Sequence, residues 1–155
     1  MPCASYGLPA KECITGAKLR KVQGSVCEKC YAMKGHNVFR PVQDAQYARL
    51  ASINDPLWVD GMVALIKSRK KSFFRWHDSG DLQSVAHLNR IVIIAKRLPE
   101  VRFWLPTKEV NFLLEWVRSH PEGFPANLCV RLSAYMVDEK AKVPAELVKH
   151  VRTST

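Results

Sequence analysis

In Cys27-Glu28-Lys29-Cys30 two residues separate the cysteines, and thirteen residues separate Cys13 from Cys27. A CxxC pair lets two sulfurs reach one metal from a turn or a helix start, and Cys13 can fold back as a third ligand. With Cys3 as a fourth, the set suits closed tetrahedral zinc. With three thiolates it suits an iron–sulfur cluster that keeps one iron open. Free or buried thiols are the plain alternative. A dithiol redox pair of the thioredoxin kind belongs directly after a strand, and this pair does not follow one. The chain has five cysteines, four of them in the first thirty residues. An odd count clustered this way argues for metal or redox chemistry over a disulfide framework.

A second constellation is His77-Asp78-Ser79-Gly80-Asp81. Asp78 and Asp81 are candidate catalytic carboxylates, one as base or nucleophile, the other holding ribose hydroxyls or an amine. Gly80 would let a ligand approach the backbone, with His77 and Ser79 lining the same site. Helix capping by Asp81 or Ser84 explains one polar group, not the whole set. In Thr107-Lys108-Glu109, Lys108 suits a carboxylate or phosphate; the competing reading is capping by Thr107 with Glu109 in the first turn. Cys129 reads as a packed core residue, His36 as a loop residue, and His87 as solvent-facing on its helix.

These groups need a frame. Residues 1–35 are broken by Pro2, Gly7, Pro9, Gly16 and Gly24 and read as an irregular metal- or cluster-binding segment, with a short strand at 18–22. A short helix is expected at 27–34. Residues 36–71 are helical: one helix follows Pro41, and a second starts after Asp55-Pro56 and ends in the cations of 69–71. Residues 72–155 alternate. Strands are expected at 72–76, 101–105 and 128–132, and helices at 84–98 and 108–119. A last helix is expected at 144–151, then a frayed tail at 152–155. Alternation of this kind implies a parallel sheet with right-handed crossovers in a single α/β domain. Ligands of such sheets bind beyond the C-terminal strand ends. Here those ends are 77–81, 106–108 and 133–135.

The length of 155 residues allows a real core, and a 47% hydrophobic, 25% charged composition is that of a soluble globular protein. No apolar run approaches the ~20 residues of a membrane helix. The N-terminus lacks a signal-peptide layout, so a cytoplasmic protein is expected. The net charge of +10, from 24 Lys and Arg against 14 Asp and Glu, favours a nucleic acid or nucleotide partner.

The blocks GSVCEKCYAMKG, FRWHDSGDLQS, RFWLPTKE and LCVRLSA together resemble the phage-borne gene product 88 family of uncharacterised proteins, over about residues 5–136. More distantly, the chain resembles radical S-adenosylmethionine enzymes. That second resemblance implies a partial (β/α) barrel of parallel strands and a [4Fe–4S] cluster on Cys13, Cys27 and Cys30. It also implies an aromatic Tyr31 beside the cluster and S-adenosylmethionine held by residues 77–81. The spacing departs from the usual CxxxCxxC, and Ser79-Gly80-Asp81 replaces a glycine-glycine-glutamate motif.

The leading expectation is thus an α/β partial barrel, encoded by a phage and acting in the host cytoplasm. It carries a [4Fe–4S] cluster, with Zn2+ as the alternative metal, and acts on nucleic acid or nucleotides with S-adenosylmethionine. The alternatives are a zinc-stabilised, non-catalytic nucleic-acid-binding module completed by Cys3, and a zinc-containing base-exchange enzyme with Asp78 as nucleophile. A partial barrel with an open sheet edge calls for a second copy or a protein partner to cover it.

Overall fold

The computed structural model describes residues 3–154. Its frame is a five-stranded, all-parallel open sheet with the strands in chain order. The strands are β1 (Ala4–Tyr6), β2 (Phe73–Trp76), β3 (Arg102–Thr107), β4 (Leu128–Ser133) and β5 (Arg152–Ser154). The helices are α1 (Ile14–Leu19), α2 (Arg40–Ser52), α3 (Trp58–Ser68), α4 (Val85–Arg97) and α5 (Val110–Ser119). Sequential parallel strands joined through helices are the arrangement of a partial (β/α) barrel.

Strand residues alternate, because successive side chains point to opposite faces. Phe74, Trp76, Phe103, Leu105, Leu128, Val130 and Leu132 point one way and are buried. The amphipathic stripes of α3, α4 and α5 pack on them through Met62, Ile66, Leu88, Ile91, Leu113 and Trp116. Ser84 caps α4 by accepting from the His87 N–H. The Asn127 amide donates to the carbonyls of Ala95, Leu98 and Val101, each at 2.9 Å, and so pins the end of α4 to β3 and β4. No described helix is long and apolar enough to cross a membrane.

β1 is held by its single tyrosine. Trp58 Nε1 donates to the Tyr6 hydroxyl, which donates to the Arg49 carbonyl. Arg49 in turn donates to the Gly7 carbonyl.

Several local expectations are corrected. The N-terminal segment is not irregular: it carries β1, a 3-10 turn over Ala10–Glu12 and α1. The strand expected at 18–22 is the end of α1 and the turn after it. Residues 27–34 form a turn and a 3-10 turn over Tyr31–Met33, and His36 lies in another over Gly35–Val38. The last helix shrinks to a 3-10 turn over Ala145–Leu147, and the tail is β5 through Ser154. Thr155 lies outside the described residues. Cys129 is exposed, because Leu128 and Val130 take the inward positions beside it. His87 is buried, because α4 turns that face towards Trp58.

Candidate functional site

A cleft of about 170 Å³ opens at the C-terminal end of the sheet. One wall is Cys13, Gly16, Cys27, Cys30 and Tyr31; the floor and the other wall are Arg75, 77–81, 106–108 and Ser133. The cysteines reach it because they belong to the first β-to-β connection, between β1 and β2.

Cys13 is the residue before α1, and α1 is tied down by Glu109. The Thr15 N–H and hydroxyl donate to the two Glu109 carboxylate oxygens, each at 2.8 Å. Glu109 is 5% exposed, so this bidentate link fixes the cysteine segment to the β3–α5 turn. Arg20 returns to the carbonyls of Ala10 and Lys11. Ser25 positions the CxxC turn: its hydroxyl donates to the Leu19 carbonyl and accepts from the Glu28 N–H. Val26 N–H donates to the Tyr135 carbonyl. Tyr31 closes the wall by donating from its hydroxyl to the Asp78 carbonyl.

Gly16 shows how the sulfurs sit. A Cβ there would lie 2.9 Å from Cys13 Cβ and 3.6 Å from both Cys13 Sγ and Cys27 Sγ. The glycine leaves a cradle between two thiols, which therefore stand no farther apart than twice that distance. Among the described residues, no three His, Cys, Asp or Glu side chains converge closely enough to hold one metal ion. A single zinc with bonds of ~2.3 Å sets its sulfurs about 4 Å apart. A cluster binds each thiolate to a different iron and accepts wider spacing. Burial pushes the Cys13 thiol up to about 12, helped by Asp81, Cys30 and Cys27 and opposed by Arg20. Burial also raises Cys27, with the Lys108 ammonium pulling the other way. Both thiols are thereby held in their neutral form at neutral pH.

The predicted ligand residues of the β2 end are brought together, but several are engaged. Asp81 is 7% exposed. Its Oδ1 accepts from the Thr107 hydroxyl at 2.6 Å and the Leu82 N–H at 2.8 Å, and its Oδ2 accepts from the Lys108 N–H at 2.9 Å. It braces the end of β2 against the end of β3. Burial nevertheless raises its pKa to about 6 against those three hydrogen bonds. Ser79 Oγ donates to the Leu8 carbonyl and accepts from Gln46. Gly80 has φ +78°, and a Cβ there would meet Leu8 Cβ at 2.6 Å and its carbonyl oxygen at 2.8 Å. The approach that needs this glycine is therefore made by the Leu8 backbone. Gly7 is the reciprocal case: its Cβ would lie 2.3 Å from Asp78 Oδ1.

Asp78 is only partly buried; it accepts from the Ser5 hydroxyl at 2.7 Å and from the Ser79 N–H. The Lys108 side chain lines the cleft. His77 adopts φ +54°, rare for a residue with a side chain. Its ring is 3% exposed, and neither ring nitrogen has a hydrogen-bond partner among the described residues. Burial lowers its pKa well below the usual histidine value, with His87 and Arg75 adding to the effect. Cys3 precedes β1 and so lies at the opposite, N-terminal end of the sheet, about 10 Å along the strand from the cleft.

Sequence reasoning missed Glu109 and Thr15 as the link that carries Cys13, and the signal for them is weak: a carboxylate at a helix start ordinarily serves its own helix. Arg75 was also missed. Its period-two alternation with Phe74 and Trp76 marks it as facing away from the core.

A family model described as gene product 88 matches residues 1–154. No curated protein and no solved structure matches.

Proposed function

This chain belongs to the gene product 88 family, and we propose that its cleft holds an iron–sulfur cluster on Cys13, Cys27 and Cys30 and acts on a nucleic acid or nucleotide. The observation that carries the proposal is the convergence of these three cysteines on one cleft at the C-terminal end of a parallel sheet. The cradle that Gly16 leaves between the Cys13 and Cys27 thiols gives an inorganic group room beside them. The remote position of Cys3 supports three protein thiolates over four.

With three thiolates, one iron of a [4Fe–4S] cluster is left free to bind a ligand and exchange an electron. The likeness to radical S-adenosylmethionine enzymes belongs to this proposal, as does a phage origin. The chain's own residues have separate tasks in it. Asp78, partly exposed on the cleft floor, accepts hydrogen bonds from an amine or ribose hydroxyl. Lys108 offsets negative charge on the thiolates or on a phosphate. Tyr31 screens the cysteine wall from water, and Asp81 holds the two strand ends in register. A cleft of this size takes a compact inorganic group, so an organic co-substrate extends over the neighbouring sheet face.

Anaerobic purification with iron, sulfide and zinc analysis tests the proposal. The expected result is a brown protein with about four irons per chain, lost in Cys13→Ala, Cys27→Ala and Cys30→Ala and kept in Cys3→Ala. One tightly held zinc without iron would overturn it, as would loss of the cluster in Cys3→Ala.

A further inference from the structure

The sheet has two faces; the helices pack on one, and on the other Arg75, Trp104 and Arg131 are half-buried. On this second face, Ser5, Arg75, Trp104 and Cys129 lie in register across β1 to β4. The neighbouring rows are Phe73 with Arg102, and Pro106 with Arg131 and Arg152. Phe73 is 55% exposed, and Arg102, Cys129 and Arg152 are exposed. Each aromatic ring on this face carries an arginine: the Arg75 guanidinium lies 4.6 Å from the Trp104 ring centre, and that of Arg102 lies 5.9 Å from Phe73. Arg75 is engaged with Tyr31 and Arg131 donates to the Thr153 carbonyl, and the strands place no acidic residue on this face. The face runs without a break into the cysteine-walled cleft, because Arg75, Pro106 and Ser133 line both.

We propose that this open face is a platform for single-stranded nucleic acid, laid across β2 to β5 so that one nucleotide enters the cleft. Planar rings interleaved with cations fit that occupant. Bases stack on aromatic rings and guanidinium planes, and phosphates pair with the arginines. A duplex keeps its bases stacked on one another and offers the rings nothing. A second copy of this chain does not fit, since face-to-face packing would set one arginine array against another. The last clause of the proposal, entry into the cleft, rests on the function proposed above; the platform does not.

The test is fluorescence anisotropy with a labelled single-stranded oligonucleotide of about ten nucleotides and a duplex of the same length. Both are titrated at several salt concentrations into the full chain as purified, and iron is measured on the same samples. The single strand is expected to bind more tightly than the duplex. In Arg102→Gln/Arg152→Gln the salt slope becomes shallower by about 1.4, at about 0.7 per phosphate contact. Trp104→Leu, which keeps apolar bulk but removes the ring, weakens binding about ten-fold. Lys67→Gln/Lys96→Gln, on exposed positions of the helical layer, leaves the slope unchanged. Equal affinity for the duplex would overturn the proposal, as would an unchanged slope in the arginine variant. So would a dimer that buries this face, detected by sedimentation and abolished in Arg102→Gln/Arg152→Gln. Iron without oligonucleotide binding refutes the platform alone, and binding without iron refutes the cluster alone.

Discussion

Replacing His87 with phenylalanine changes how stability depends on pH. The His87 ring is 1% exposed and sits edge-on to Trp58 at 5.5 Å and to His77 at 5.4 Å. Burial, with Arg90 nearby, lowers its pKa to about 4. An unfolded histidine titrates near 6.5. As pH falls below about 6.5, the unfolded chain takes up a proton that the folded chain refuses. The stability present above that pH is therefore lost progressively down to about pH 4. A gap of roughly 2.5 units corresponds to about 3 kcal/mol, a large share of the 5–15 kcal/mol typical of a folded domain. His77 acts in the same direction. Asp81, raised to about 6, acts in the opposite one, because the folded state then binds its proton more tightly than the unfolded state does. Urea unfolding of the parent and His87→Phe proteins between about pH 7.5 and 4.5 reads the effect of His87 together with its coupling to His77. The packing change contributes a constant offset. The proton contributes a difference that shifts by about 2–3 kcal/mol across the range in favour of the variant. A difference that stays constant with pH would refute the account.

Further substitutions test the frame around the cleft. Gly80→Ala forces a side chain onto φ +78° and into the Leu8 backbone, and is expected to cost about 2–4 kcal/mol in chemical denaturation. Gly61→Ala, on α3 with nothing within 4 Å of the added carbon, should instead stabilise by about 0.5–1 kcal/mol. Asp81→Asn keeps the shape but turns an amide donor towards N–H groups that need an acceptor. It should lower the urea midpoint by the equivalent of about 1–3 kcal/mol. Thr15→Val removes one of two hydrogen bonds to buried Glu109. It should raise the alkylation rate of Cys13 while leaving that of exposed Cys129 unchanged.

The sequence was most informative where a strand, a helix and a polar turn follow one another. β2, β3 and β4 each combine a short β-rich run with a stop, and their ends carry the cleft floor. β1 and β5 are three residues long, too short for any period to register. They exist because parallel neighbours supply the hydrogen bonds. α1, six residues long, is below the length at which propensity alone makes a helix, and the Thr15–Glu109 link stabilises it. Gly80 was legible as a close approach, but not what approaches, because Leu8 lies far away in the chain. Cys129 was misread because its strand is apolar on average, although the alternation of Leu128, Val130 and Leu132 against Cys129 and Arg131 already separates the two faces.

The strands lie in chain order, but their connections are unequal. Residues 7–72 separate β1 from β2, against 77–101 between β2 and β3. Closing the longer loop costs about 1 kcal/mol more in chain entropy, which favours pairing of β2 to β4 before β1 joins them. During synthesis, at about 5–20 residues per second, the thiols of Cys13, Cys27 and Cys30 meet solvent for several seconds before Trp76 exists to pair with Tyr6. The wall of the cleft is made first and its floor afterwards. The insertion of Gly7 and Leu8 against Ser79 and Gly80 is then the step that seats the cysteines. Folding thus closes the cleft over a segment whose three thiols were exposed beforehand.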